Sequence, residues 1–219
     1  MPLLQQFESA GVDVWVWKIT ETVDALLEMV PAECAAPAMK KFASEKRCRE
    51  WLAVRAMVSR RFGEEARVVY DDAGKPCLDG MGGYFSISHT DGYAVMAYSR
   101  NKEIGVDVEL VSRNVMSVAA RFMQPDVLDA FQSGERGFVA LVHWCAKEAL
   151  FKIVGNLGGN FKDNILVGPL AVAENGQVQL SLVGLDGVGE DKFVAGYSVL
   201  DDLLVVLCCK SSDADRNKL

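Results

Sequence analysis

Two histidines in 219 residues, and six cysteines (Cys34, Cys48, Cys77, Cys145, Cys208, Cys209) without one CxxC pair, leave no cadence for a structural zinc site. Several of these cysteines sit inside apolar runs, where a free thiol behaves as a small buried hydrophobe. That usage favours a reducing compartment. Long apolar runs are missing too: LLVVLCC (203–209) is of strand length and far too short to span a bilayer. The opening MPLLQQFESAG has neither a basic segment nor a long apolar stretch, so no signal peptide is expected. The chain reads as cytoplasmic, with no membrane partner. A basic excess is also lacking. A net charge of −7 and a pI near 5.0 argue against a protein whose main task is gripping nucleic acid, which needs a surface that neutralises phosphates.

What is present is the material of a folded protein. A hydrophobic fraction of 50% with 24% charged residues can supply a sizeable core in one large domain or two small ones. The charge is unevenly spread. Lys40, Lys41, Lys46, Arg47, Arg49, Arg55, Arg60 and Arg61 face only Glu45 and Glu50, so eight basic residues against two acids give this stretch +6. Such a patch suits a small polyphosphate or an acidic partner, and equally a solvated helix face.

Periodicity predicts a strand over 12–19 and a helix over about 20–30, started by Thr20 and stopped by Pro31. A second helix over about 44–62 follows, from Ser44 to near Gly63. Short β segments are expected at 67–70, 84–88 and 93–98, with turns at DDAGKP and HTDG. IGVDVEL (104–110) is a further strand. A helical region over 115–132 and a strong helix over 136–154, closed by the glycine-rich 155–159, come next. Strands are expected at 165–173, 177–183, 192–200 and 203–209. The order strand, helices, strands thus occurs twice, which implies two α+β halves, 1–102 and 103–219. A ligand at their junction would be usual.

Three segments carry chemistry. In IGVDVEL, alternation sends Gly105, Asp107 and Glu109 to one face, with same-face neighbours roughly 7 Å apart. Two carboxylates held together call for a cation or a proton, and hard oxygen ligands suit Mg²⁺. Gly105 is expected to leave that face open. Read alone, the same alternation also fits a half-solvated strand. In HWCAKEALFKIVG, Trp144, Glu148 and Lys152 recur at i, i+4, i+8 and form one stripe, beside apolar positions that suggest a largely buried helix. The Glu–Lys pair fits either a surface bridge or a metal–polyphosphate site. In GKP (74–76) and FSISHTDG (85–92), Ser88, His89 and Thr90 fall where a strand opens into a turn; His89 is either structural or catalytic, and His143 is assigned to structure.

Taken in order, GKP, FSISHT, IGVDVE and WCAKEALFK with its glycine-rich turn resemble the 4′-phosphopantetheinyl transferases, in the larger single-chain group built as a pseudodimer of two α+β halves. EKRCREWLAVR is similar to that family's arginine-containing helix. The resemblance implies transfer of the phosphopantetheine arm of coenzyme A to a serine of an apo acyl or peptidyl carrier protein, with release of 3′,5′-ADP, by a monomer whose active site lies at the junction of the halves. It implies Asp107, Glu109 and Glu148 as ligands of Mg²⁺, and Glu148 and Lys152 as the catalytic pair, Lys152 also meeting the phosphates. Lys75, Ser88 and His89 match positions that bind the nucleotide and its 3′-phosphate. Arg49, with Arg47 as rival, would grip coenzyme A, and Lys40 or Lys41 adds a phosphate contact. An acidic carrier would dock on the basic stretch, or on Arg121, Phe122, Met123 and Phe131. The competing readings are a metal-dependent phosphohydrolase of coenzyme A and a coenzyme A-binding module without turnover.

Overall fold

The computed structural model describes residues 3–9, 11–155, 160–184 and 192–211. The chain divides into two compact units, Met1–Asn101 and Lys102–Leu219.

The first unit contains β1 (Leu3–Ser9), β2 (Val12–Lys18), α1 (Val23–Leu27), α2 (Ala35–Lys41), α3 (Glu45–Phe62), the hairpin β3 (Val68–Tyr70) and β4 (Pro76–Leu78), then β5 (Tyr84–Thr90) and β6 (Tyr93–Ser99). Its main sheet is antiparallel in the order β1-β2-β6-β5. β1 was not anticipated, because LLQQFES does not alternate; pairing with β2 makes it a strand. The cap of α1 is Thr22, whose hydroxyl accepts from the Ala25 amide, rather than Thr20. α3 starts after Ser44 and ends at Gly63, as its periodicity predicts. Its apolar side, with Leu52, Ala56 and Met57, packs with Trp17 and Met96 of the sheet.

The second unit contains β7 (Ile104–Leu110), two 3₁₀ turns (Met116–Arg121 and Pro125–Ala130), α4 (Arg136–Val154), α5 (Phe161–Asn164), β8 (Ile165–Val167), β9 (Asn175–Leu182), β10 (Lys192–Leu200) and β11 (Leu203–Lys210). The helical region expected over 115–132 is thus two tight turns, with Pro125 at the start of the second. The strand expected over 165–173 ends at Val167, and the Gly168 amide makes one further bond in the same register, to the Gln179 carbonyl. Beyond Gly155, the glycine-rich closure at 156–159 lies outside the described residues. The sheet runs β7-β11-β10-β9-β8, every pair antiparallel. α4 lies on it and closes a core of Leu141, Cys145, Ala149, Leu180 and Val206.

Both units repeat one connection. A strand leads through helices to an antiparallel hairpin whose second strand returns to pair with the first: β2 with β6, and β7 with β11. Among the described residues no helix is long and apolar enough to cross a membrane, and all six cysteines are free.

Candidate functional site

The acids on β7 are not on a solvated face. Asp107 is 6% exposed and Glu109 7%, both beneath α4. The reason starts at Gly105, where an added Cβ would fall 1.9 Å from the Ala149 carbonyl oxygen. Helix backbone therefore rests directly on strand backbone. The face expected to be open beside the acids is closed there, and glycine serves contact rather than access. The same contact carries Glu148 and Lys152, on either side of Ala149, to the acids of the strand.

Buried carboxylates need partners. The Lys152 ammonium donates to Asp107 Oδ1 (2.8 Å) and to the Val106 carbonyl (2.7 Å). The Arg113 guanidinium donates to Glu109 Oε1. A turn in which the Arg113 amide donates to the Leu110 carbonyl folds that residue back toward the strand, and its guanidinium lies 5.7 Å from the centre of the Trp144 ring. Burial raises the pKa of Glu148, and the Asp107 charge raises it further, against the opposing effect of Lys152 and Arg113. Burial, with Asp107 second, pushes the Cys145 thiol well up, so it is an inert neighbour. The arrangement holds one carboxyl group that binds a proton more tightly than usual beside a carboxylate–ammonium pair.

Among the described residues no group of three or more His, Cys, Asp and Glu side chains forms a metal-holding cluster. Lys152 and Arg113 engage the two strand acids of the expected set Asp107, Glu109 and Glu148. The donor chemistry still fits magnesium, which is usually bound through one or two carboxylates, its remaining positions going to waters and substrate phosphates.

In the first unit, His89 Nδ1 lies 3.2 Å from Oε2 of the buried Glu50. β5 continues through Thr90 and the turn is only Asp91–Gly92, so Ser88 and His89 are strand residues, opposite Val95 and Ala94. Ser88 is buried and the His89 ring is half exposed. Lys75 stands in the β3–β4 turn, which is closed by Asp71 Oδ1 accepting from the Lys75 and Ala73 amides and by Gly74 at φ +80°. Arg49 donates to the Ile19 carbonyl (2.9 Å), whereas Arg47 is exposed.

The basic stretch is not one patch. Lys46 pairs with Asp91, Arg61 with Asp13, and Arg55 is buried, which leaves Lys40, Lys41 and Arg47 among its exposed cations. The alternative docking surface is also corrected: Phe122 and Met123 are core residues. His143 is buried and structural; burial and then Lys147 bring its pKa down to about 4. Glu50, Arg113 and Lys147 were missed as residues of note. Arg113 could have been found as the cation four positions beyond Glu109, whereas Glu50 and Lys147 look like ordinary helix charges.

Residues 103–184 match the family model for the 4′-phosphopantetheinyl transferase superfamily. Over 115 residues the chain is 27% identical to a protein of Synechocystis sp. (strain ATCC 27184 / PCC 6803 / Kazusa) provisionally described as a 4′-phosphopantetheinyl transferase, covering 48% of this chain and 47% of that one. The chain thus spans about half the length of the relative it matches. Over residues 103–184 the chain is thus similar to the 4′-phosphopantetheinyl transferase superfamily.

Proposed function

We propose that the chain is a 4′-phosphopantetheinyl transferase that moves the phosphopantetheine arm of coenzyme A to a serine hydroxyl of an apo acyl or peptidyl carrier protein and releases 3′,5′-ADP. The observation that carries this reading is the set Asp107, Glu109, Glu148 and Lys152, collected at one helix–sheet contact inside the segment that matches the superfamily. A binding module without turnover has no need of a buried third acid beside a lysine. The repeated connection in the two units supports reading 1–102 and 103–219 as the two halves of a pseudodimer.

In this reading a bond forms between the serine oxygen and the β-phosphorus, and the bond from that phosphorus to the bridging oxygen breaks. The proton of the hydroxyl goes to a base. Glu148, whose carboxylate binds protons more tightly than usual, is that base, directly or through water. Lys152 is held by Asp107 and the Val106 carbonyl, so its charge is in position for the phosphate oxygens before substrate arrives. Asp107 and Glu109 would hold Mg²⁺, which when bound neutralises pyrophosphate charge and stabilises the leaving phosphate. Arg49 or Arg47, Lys75, Ser88 and His89 bind the nucleotide end, with Glu50 orienting the His89 ring. The setting is cytoplasmic, as the free cysteines suggest.

The test is intact-mass analysis of a panel of apo carrier proteins incubated with the chain, coenzyme A and Mg²⁺. A phosphopantetheine adduct on at least one carrier is expected, and Asp107→Ala should abolish it while the protein stays folded. No adduct on any carrier would overturn the reading. Release of 3′,5′-ADP without a carrier present would instead identify a hydrolase.

A further inference from the structure

α3 carries a stripe of side chains distinct from Glu50, the residue that meets His89. Trp51, Arg55 and Ser59 recur at i, i+4 and i+8, and Trp51 is about 100° round the helix from Glu50. The three line a cavity of about 140 Å³ whose other walls include Glu33, Cys34 and Arg67.

Arg55 is the unusual member. It is 7% exposed, yet its partners are neutral: Nη1 donates to the Trp51 carbonyl (3.3 Å), Nη2 to the Tyr70 hydroxyl (3.4 Å), and the guanidinium stacks 3.8 Å from the centre of the Trp51 ring. Among the described residues no carboxylate pairs with it. A guanidinium has five N–H donors, and a buried cation without a counter-charge is costly. The indole Nε1–H of Trp51 is likewise buried, with no acceptor among the described residues. Among the described residues Glu33 is the sole carboxylate in the lining, and the Arg67 guanidinium already engages it. The cavity therefore offers cationic and neutral donors, and its one acid is taken.

We propose that this cavity binds a small oxyanion of the size and charge of phosphate, with Arg55 as its counter-ion and Arg67, Ser59 and the Trp51 indole as further donors. Such an anion supplies the charge that Arg55 lacks and acceptors for donors left over by the fold. Arg67 then bridges Glu33 and the anion. The site is independent of the transferase reading, because none of its residues is given a role there.

The experiment is a titration of the full chain with inorganic phosphate, following the indole N–H resonance of Trp51 by NMR, assigned through its loss in Trp51→Phe. A saturable shift is expected, with none from chloride at equal ionic strength. Arg55→Met should weaken the response at least tenfold, and Glu33→Gln should strengthen it. A parallel titration with glycerol 3-phosphate tells whether the site also admits a phosphomonoester. Ser59→Asp brings a carboxylate to the cavity wall, and should raise the melting temperature and abolish the phosphate response. An unsaturable shift, or an equal shift in Arg55→Met, overturns the proposal. If Arg55→Met does not fold, a Ser59→Asp protein that gains no stability and still answers phosphate overturns it.

Discussion

Gly105 shows how much of the site hangs on one missing methyl group. A Cβ there meets helix backbone, not a side chain that can turn aside, so Gly105→Ala must push α4 off β7. The expected cost is about 3 kcal/mol or more, at the upper end for overpacking. It should be read as a fall in the denaturation midpoint, together with loss of any transferase activity even where the variant folds. His143 has a different consequence. Its pKa is about 4 in the fold and near 6.5 in the unfolded chain. Between those values the unfolded chain holds a proton that the native protein does not, so stability falls as pH drops from 6.5 toward 4 and this effect levels off below. At its limit the loss is about 3 kcal/mol. A pH series of melting temperatures should find His143→Gln less acid-sensitive than the parent by that difference; identical slopes would refute the assignment.

At the scale of elements, α4 organises the second unit. One side holds Glu148 and Lys152 against β7. Lys147, 3% exposed, reaches the Phe122 and Phe161 carbonyls, both at 2.6 Å. It thereby ties the end of a 3₁₀ turn and the start of α5 to the helix. Burial lowers its pKa to about 8, so it is still largely protonated at neutral pH. Lys147→Met would leave the buried Phe122 carbonyl and the part-buried Phe161 carbonyl without this donor, and should destabilise the fold by about 3 kcal/mol. Hydrogen exchange should then rise first around Phe122 and Phe161 rather than along β10 and β11. Uniform exchange would mean that the lysine is not a local tie. The expectation of one helix over 115–132 failed for a related reason. Apolar spacing there reports burial of Val115, Ala119, Phe122 and Met123, which two 3₁₀ turns achieve as well as one α-helix.

For the whole molecule, the net charge of −7 hides the local asymmetry that an acidic carrier would use. Because several cations of the basic stretch are engaged within the fold, on the proposed function an acidic carrier would be attracted by the exposed remainder, which includes Lys40, Lys41 and Arg47. Reversing charge with Lys40→Glu and Lys41→Glu should raise the carrier KM several-fold with kcat little changed, and added salt should shrink the difference. An unchanged KM would move carrier docking elsewhere.

Much of this protein is local enough to read along the chain. α3 and α4 announce themselves by apolar spacing and terminal glycines, β7 by its alternation, and the order of GKP, SISHT, IGVDVE and WCAKEALFK by spacing alone. Those features depend on neighbours a few residues apart. Pairings between distant segments are another matter. The sequence could not say that Asp107 and Glu109 are buried, that Gly105 exists to receive a helix, or that Arg113 and Lys152 would take one acid each. Nor could it divide one basic stretch between paired cations, a buried cation and an exposed remainder. Each depends on which surface α3 or α4 turns toward its sheet, and that is decided by the fit of whole elements, where a single glycine admits or refuses the contact.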